Sequence, residues 1–216
     1  VTLASIIACS VVASIPAIRS LSGDFLNIVL DGGLVFGSVP LRLDALSGWF
    51  ILIICFVFIT GSFYGISYMK SYESQKANIG LHAIAFILLF ASMNALTVIQ
   101  NSLAFLVLWE IMTLSAFVAV IFEYNKPETI RAGMNFLIQS HVSILFLIIG
   151  FIWIASKTGS YDFAEIATYT GLNGGAASLV LFLVFASGFG IKAGFVPFHS
   201  WLPYAHPAAP AHISGI

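Results

Sequence analysis

Two charged residues stand alone inside long apolar stretches of this sequence. Residues 102–122 read as one membrane-spanning helix with Glu110 near its midpoint, and residues 177–198 carry Lys192 in the same way. A carboxylate or an ammonium group at mid-membrane depth is costly, so each predicts a functional site with a partner. Because their charges are opposite, we expect Glu110 and Lys192 to be partners for each other.

Histidines form the second group of side chains that could move protons. The sequence contains five of them: His82, His141, His199, His206 and His212. An imidazole with its ordinary pKa near 6.5 gains and loses protons at physiological pH. His199 follows Lys192 by seven residues, about two turns along one helix face if Pro197 does not turn the chain. His141 lies deep in the apolar stretch 132–155. We predict His199 and His141 as proton carriers, with a structural role as the alternative for each.

The overall composition indicates a membrane protein. Hydrophobic residues make up 60% of the chain and charged residues 8%, whereas about a quarter of the residues of a soluble domain are charged. The net charge is −1, and the few basic residues are scattered rather than clustered. A nucleic-acid partner is therefore excluded, since binding to phosphates needs a basic surface. The lipid bilayer is the expected surroundings.

The length of the apolar stretches predicts the fold class. A hydrocarbon core about 30 Å thick needs roughly 20 helical residues. Six spans of this length fit, at residues 2–18, 45–66, 79–98, 102–122, 132–155 and 177–198, with a seventh beginning near Ala211. We predict an all-α, polytopic transmembrane helix bundle that forms a single membrane domain over residues 1–216.

Glycine and proline interrupt this pattern in two places. Gly188, Gly190, Gly194 and Pro197 surround Lys192 and predict a broken helix, which membranes tolerate where backbone is packed in protein or lines a wet cavity. In the first loop, residues 28–30 and 34–36 flank Asp31-Gly32-Gly33, which predicts a short β-hairpin.

Two further expectations concern the loops that join the spans. Asp44 precedes the second span and is expected to cap its helix. Lys and Arg are slightly more frequent in the loops near residues 70 and 126 than in the alternate loops, which favours a cytoplasmic position for those two loops and an external one for the hairpin.

Metal and cofactor sites are not predicted. Cys9 and Cys55 stand apart in apolar stretches, so we expect two buried free thiols rather than a zinc site or an iron–sulfur cluster. A haem held between His82 and His141 is the alternative. Coupling to sodium would need several converging oxygen ligands, and the spans contain only scattered hydroxyl and amide side chains.

Three motifs resemble one known family. They are Leu-Asp-Ala-Leu-Ser at residues 43–47, Trp109-Glu110 in mid-span, and Lys-Ala-Gly-Phe-Val-Pro-Phe-His-Ser-Trp-Leu-Pro at 192–203. Together they resemble the antiporter-like proton-conducting membrane subunits. That family includes the large membrane subunits of respiratory complex I, subunits of Mrp-type cation/proton antiporters, and subunits of membrane-bound hydrogenases and formate hydrogenlyase. Residues 201–216 are most similar to the hydrogenase-4 component B and formate hydrogenlyase subunit 3 branch.

The resemblance implies an architecture and site residues. Members have fourteen helices in two inverted five-helix repeats, each with a half-channel, and the present sequence would run from the second helix to the start of the eighth. The family's Trp-Glu position falls on Glu110, and the lysine of its broken helix falls on Lys192. The implied partners are other membrane and peripheral subunits of a hydrogenase or complex I-like assembly, in a prokaryotic inner membrane.

The function we expect is proton translocation by a subunit of a redox-driven complex, without cofactor chemistry of its own. In this hypothesis ionised Glu110 holds protonated Lys192, and motion in neighbouring subunits changes their separation. Proximity favours the protonated amine, and separation in a dry interior favours loss of its proton. Two alternatives remain open: a secondary cation/proton antiporter subunit of Mrp type, and a non-pumping scaffold subunit of a membrane oxidoreductase.

Overall fold

The computed structural model describes residues 2–172 and 175–216. In chain order its elements are α1 (Thr2–Leu21), β1 (Leu26–Asp31), α2 (Gly33–Phe36), β2 (Ser38–Leu43), α3 (Ala45–Met69), α4 (Lys76–Val98), α5 (Ser102–Val120), α6 (Pro127–Thr158), α7 (Phe163–Leu172), α8 (Ala176–Ala193), α9 (Leu202–Ala208) and α10 (Ala211–Ser214). Within the described ranges, six helices, α1, α3, α4, α5, α6 and α8, are long and apolar enough to cross a membrane. The predicted multi-span helix bundle is confirmed.

Polar side chains start two of the spanning helices where the sequence predicts. The Asp44 carboxylate accepts a hydrogen bond from the Ser47 amide at 3.0 Å, which satisfies a free N–H of the first turn of α3. Asn101 does the same for α5 through the amides of Leu103 and Ala104. The turn over residues 99–101 therefore separates α4 from α5, as expected from its polar residues.

The first loop forms a hairpin whose second strand differs from the prediction. Strand β1 pairs with β2 in antiparallel register, with Leu26 opposite Leu43. Residues 34–36, expected to form that strand, lie instead in α2. Asp31 causes the change because its carboxylate accepts from the Gly33 amide at 2.9 Å and turns the chain early. Gly33 and Gly37 then take φ values of 67° and 63°, which only glycine adopts readily.

The last spanning helix stops in mid-chain, as predicted for the segment around Lys192. Helix α8 ends at Ala193 rather than at residue 198, because Gly194 adopts a left-handed conformation with φ 70° and its amide bonds back to the helix. A single 3₁₀ turn, His199–Trp201, and the short helix α9 follow. The broken helix is confirmed, and α10 begins where a seventh span was expected.

Helix α6 is the central element around the broken helix. It packs against α5, α8 and α9. The contact with α8 is close because Gly188 has no side chain: a Cβ there would lie 2.6 Å from Leu147 Cδ2 and 3.2 Å from the Ser143 carbonyl oxygen. The Ser143 hydroxyl donates to the Gly188 carbonyl at 2.6 Å across the same interface. This contact fixes the position of the chain that carries Lys192.

A second packed region joins α1, α3 and α4. Phe58 is fully buried at its centre, with its ring 5.0 Å from that of Phe86 and 5.2 Å from that of Phe90. Cys55 is buried in this region, but Cys9 is exposed, so the expectation of two buried thiols is wrong for Cys9. The reason is that α1 packs mainly against α3 and leaves its other face uncovered.

Substitution of Gly188 tests the close contact between α6 and α8. We expect Gly188→Ala to lower the stability of the protein by about 1–3 kcal/mol, because the added methyl overpacks the interface. Gly80 on α4 is a matched control, since a Cβ there meets nothing within 4 Å, and Gly80→Ala should leave stability unchanged or raise it by about 1 kcal/mol. The thermal unfolding midpoint in detergent measures both, and a Gly188→Ala protein as stable as Gly80→Ala would contradict the prediction.

Removal of the Asp44 cap should destabilise α3. The hydrogen bond from the Ser47 amide holds the pKa of Asp44 below its ordinary value, with Arg42 contributing. Because the pKa is lowered on folding, this contribution is present above the ordinary pKa of 3.8 and is lost as the pH falls through the folded value. We expect Asp44→Ala to cost about 1 kcal/mol at pH 7 and Asp44→Asn much less, since asparagine also caps. Unfolding midpoints between pH 3 and pH 7 provide the measurement.

Candidate functional site

Neutral groups hold the Lys192 side chain. Its ammonium donates to the Thr113 hydroxyl on α5 at 2.8 Å and to the Ser140 hydroxyl on α6 at 3.1 Å. The same nitrogen lies 4.6 Å from the centre of the Phe136 ring, within the range of a cation–π contact. Thr113 and Ser140 are themselves buried. The amine thus crosses from α8 past α6 to reach α5.

The end of α8 adds a favourable field at this position. Lys192 lies in the last turn of the helix, where the carbonyl ends of the peptide dipoles favour positive charge. The Ile191 carbonyl accepts from the Trp201 indole N–H at 2.9 Å, and the Trp201 ring packs edge-on against Phe136 at 5.2 Å. The break after Ala193 therefore brings Trp201 back to close the site beside the lysine.

Glu110 contacts His141 rather than Lys192. Its Oε1 lies 3.1 Å from His141 Nε2, and its Oε2 is buried with no hydrogen-bond partner in the described part of the chain. The other imidazole nitrogen, Nδ1, lies 2.8 Å from the Leu137 carbonyl oxygen and must carry a proton to bond there. Glu110 and His141 therefore share one proton in their neutral form and carry a net positive charge after gaining a second.

The expected direct pair of Glu110 and Lys192 is not formed. No distance between the Lys192 amine nitrogen and a Glu110 carboxylate oxygen falls within 4.0 Å. The carboxylate contacts His141 on α6 instead. The two groups are nevertheless close along α5, since Thr113, which accepts from Lys192, follows Glu110 by three residues and so lies on the same helix face. The Thr113 hydroxyl donates its own proton to the Trp109 carbonyl at 2.9 Å.

A cavity of about 240 Å³ is lined in part by Lys192. It extends to α9 and α10, where His206, Ile213 and Ser214 also line it. His206 Nδ1 lies 3.1 Å from the Ser214 hydroxyl. We call this space the Lys192 cavity; it has room for several water molecules. Lys192 therefore bonds the helix turns next to Glu110 and His141 and also lines this cavity.

The two histidines predicted as carriers occupy different environments. His141 lies in the site, beside Ser140 and against Glu110. His199 does not share a helix face with Lys192, because α8 ends at Ala193 and the chain turns before the 3₁₀ segment that contains it. His199 is exposed. The condition for a shared face, a helix that continues through Pro197, is not met, because α8 already ends before Gly194.

The remaining histidine contacts do not support the alternative haem site. His82 Nε2 lies 2.8 Å from His212 Nε2, and both side chains are buried. His82 and His141, the two ligands of that alternative, thus bond to different partners, His212 and Glu110. His212, which no local pattern singles out, is part of a pair between residues far apart in the chain.

Sequence reasoning missed the groups that bind the lysine. Thr113, Ser140 and Phe136 are ordinary residues of apolar helices, and no local pattern distinguishes them. The one available signal was spacing: Thr113 lies one turn from Glu110, and Ser140 precedes His141. Which hydroxyl the amine reaches depends on how α5, α6 and α8 pack, and this is a property of the fold.

The sequence is similar to known membrane proteins. A family model described as NADH:quinone oxidoreductase/Mrp antiporter, TM matches residues 99–216. Hydrogenase-4 component B of Escherichia coli (strain K12) is 41% identical over 182 residues, which are 84% of this chain and 26% of that protein. The present chain thus spans about a quarter of the length of this relative.

Two solved structures have the same fold. The membrane-bound sulfane sulfur reductase, an archaeal respiratory membrane complex, matches with a TM-score of 0.85 at 20% identity, over 99% of this chain and 43% of that chain. The Mrp complex from Dietzia sp. DQ12-45-1b matches with a TM-score of 0.79 at 17% identity, over 99% and 39%. The matched family model covers Glu110, His141 and Lys192, and the apolar helices cross a membrane several times. This chain is an integral, multi-pass membrane protein and belongs to the antiporter-like NADH:quinone oxidoreductase/Mrp antiporter family.

Proposed function

We propose that residues 1–216 form a membrane domain that translocates protons in a subunit of a redox-driven complex of hydrogenase-4, formate hydrogenlyase or complex I type. Lys192 is the central proton carrier, and the Glu110–His141 pair sets its charge state. Similarity to hydrogenase-4 component B supports the type of complex. The partners are other membrane and peripheral subunits, which supply the energy, in a prokaryotic inner membrane.

One observation carries the proposal: among the described residues, the Lys192 amine has only neutral hydrogen-bond acceptors, Thr113 and Ser140. A structural lysine at this depth would be expected to form a direct ion pair, which fixes its proton. Both hydroxyls accept from the ammonium. After loss of a proton, the neutral amine can still donate to Thr113, and the Ser140 hydroxyl can donate to the amine lone pair. The amine can therefore release and recover its proton without leaving a buried charge unpaired.

The adjacent acid and imidazole provide the driving field. When Glu110 and His141 share one proton, the pair is neutral. A second proton gives it a net positive charge one helical turn from Thr113, and this charge repels the Lys192 proton through a medium of low dielectric constant. The proton can leave toward the Lys192 cavity, which the lysine side chain lines. When the Glu110–His141 pair loses this second proton, the repulsion ends and the Lys192 amine is protonated again.

This mechanism differs from the switch expected from the sequence, in which Glu110 and Lys192 form a direct ion pair. Glu110 acts on Lys192 across Thr113 rather than by contact, and His141 belongs to the acid's side of the switch. His206, which lines the Lys192 cavity, takes the position beyond the lysine that His199 was expected to hold. Movement of α5 relative to α8 changes the distance over which Glu110 acts.

Substitution of the charged residues tests the proposal. In inverted membrane vesicles that contain the complete complex, Glu110→Gln and Lys192→Ala should each reduce donor-driven proton uptake about tenfold or more, a loss typical for removal of a positioned proton-transfer group. Quenching of a ΔpH-sensitive acridine dye measures uptake, and electron transfer is measured in parallel. Retention of proton uptake in both variants would favour the non-pumping scaffold.

The hydroxyl contact gives a finer prediction. Thr113→Val removes an acceptor from the ammonium, and a hydrogen bond to a charged group contributes roughly 1.5–3 kcal/mol. We expect proton uptake to fall about tenfold, whereas Thr113→Ser keeps the hydroxyl and should transport normally. Thr60→Val is the matched control, since the Thr60 hydroxyl on α3 bonds carbonyls of its own helix. Equal rates for Thr113→Val and Thr113→Ser would contradict this role for the hydroxyl.

The Mrp-type alternative makes a different prediction in the same vesicles. The family includes Mrp antiporters, and such a subunit would exchange cations for protons without an electron donor. Addition of sodium to vesicles with an imposed pH gradient should then dissipate the gradient in a Lys192-dependent manner. Proton movement that requires the electron donor and ignores sodium supports the redox-driven complex.

A further inference from the structure

His82 on α4 and His212 on α10 form a buried pair that the Lys192 site does not use. The two Nε2 atoms lie 2.8 Å apart, and the side chains are 5% and 6% exposed. The rings meet edge to face with centroids 5.0 Å apart. Gly65 on α3 allows the contact, because a Cβ there would lie 3.2 Å from the His212 ring.

The distance indicates a hydrogen bond rather than a metal site. Two imidazole nitrogens bound to one zinc ion lie about 2.0–2.1 Å from it, which places them roughly 3.3 Å apart in tetrahedral geometry. At 2.8 Å there is room for one proton and not for an ion. One ring must therefore donate its Nε2–H to the bare Nε2 of the other.

That hydrogen bond determines the state of the outer nitrogens. In the neutral pair, the donor ring has a bare Nδ1 and the acceptor ring has an Nδ1–H. Both Nδ1 atoms are buried, and neither has a partner in the described part of the chain. A buried polar atom without a hydrogen-bond partner lowers the stability of a protein by roughly 1–3 kcal/mol. We therefore expect a water molecule to bond each Nδ1.

Two cavities provide space for that water. His82 and His212 both line one of about 220 Å³, together with Ser62 and Thr2. His82 also lines a second of about 120 Å³, which reaches Asn78 and Tyr124 beside the turn that follows α5. Each volume far exceeds the roughly 15 Å³ that one water needs. His82 lines both spaces, which lie near the start of α4, since Ile79 borders the first and Asn78 borders the second.

We propose that His82 and His212 form a second proton relay, which carries protons between these two cavities. The relay rests on the proposed function, since it supplies or drains protons that the Lys192 site moves. His212 begins the segment whose next residues, Ile213 and Ser214, line the Lys192 cavity. The pair therefore lies at the edge of the route already described.

The transfer conserves protons in each step. A proton binds the bare Nδ1 of the donor ring, the Nε2–H of that ring moves to Nε2 of the acceptor ring, and the Nδ1–H of the acceptor ring leaves to water. One proton enters and one leaves, and the direction of the Nε2–Nε2 hydrogen bond is reversed. The pair resets when the Nε2–Nε2 hydrogen bond opens and each ring changes tautomer with water on its own side. The first ring loses its Nδ1 proton and regains one at Nε2, and the second loses its Nε2 proton and regains one at Nδ1. This reset needs no oxidant, metal or other reactant.

The surroundings keep the excess charge on the two rings for only a short time. The ring neighbours are aromatic: Phe122 at 5.0 Å from His82, with Phe86 at 5.9 Å and Tyr68 at 5.8 Å from His212. Beyond Phe122, the charged groups Glu123 and Lys126 pair with each other at 2.6 Å, and Glu123 also accepts from Tyr72 at 2.8 Å. With no acid in contact with either ring, a transferred proton moves on rather than remaining bound.

Glutamine variants test the relay in vesicles that contain the complete complex. His82→Gln and His212→Gln keep a hydrogen-bonding group but cannot take up an excess proton, and each should lower donor-driven proton uptake about tenfold or more. Phe90→Leu is the control, since it alters packing on the same helix α4, against Phe58, and it should leave the rate near that of the parent. If Lys192→Ala abolishes uptake while both glutamine variants transport at the parent rate, the relay is wrong and the proposed function stands. If Lys192→Ala also transports, the proposed function itself fails.

Chemical rescue separates proton transfer from a structural role. In His82→Ala and His212→Ala, added imidazole should restore proton uptake, because both of its nitrogens can exchange protons. 1-Methylimidazole fills the same space but has one nitrogen blocked, and it should not restore uptake. Equal rescue by the two compounds, or by neither, would show that the rings serve packing and would overturn the relay. The amount of each variant in the membrane is measured so that loss of assembly is recognised.

Discussion

The site depends on an ammonium group that is bound by hydroxyls instead of a carboxylate. A direct ion pair would hold the Lys192 proton firmly, because breaking a buried pair leaves an uncompensated charge. The hydrogen bonds to Thr113 and Ser140 stabilise the amine inside the bundle. Because these acceptors are neutral, groups further away can still change the protonation of the amine. The three helices that supply these groups must keep their spacing, and the close contact at Gly188 fixes the most critical part of it.

The broken helix accounts for the position of the amine. If α8 continued beyond Ala193, Lys192 would lie in the middle of a regular helix, and Trp201 could not return to bond the Ile191 carbonyl. The interruption places the lysine in the last turn of α8, where peptide carbonyls without an intrahelical N–H partner favour a cation. It also directs the following chain across α6, so that α9 and α10 become walls of the Lys192 cavity. Gly194, by its left-handed conformation, thus contributes both to the stabilisation of the Lys192 charge and to the formation of the Lys192 cavity.

Most of the fold could be predicted from the sequence because membrane depth sets the helix length. The spans, the Asp44 cap and the break near Lys192 follow from apolar length, side-chain chemistry and glycine content. Contacts between distant residues could not be predicted. Glu110 pairs with His141, and His82 pairs with His212, because of how the helices pack, and apolar residues on both the outward and the inward faces of those helices give no sign of that packing. For the same reason the second strand of the hairpin was misplaced, since the hydrogen bond from Gly33 to Asp31 outweighed the apolar character of residues 34–36.

The segment Ala211–Ser214 has a consequence for how two of the cavities are related. His212 lines the cavity that it shares with His82, whereas Ile213 and Ser214, the next two residues, line the Lys192 cavity. One stretch of backbone thus belongs to the walls of both spaces, so a displacement of that stretch alters the two together.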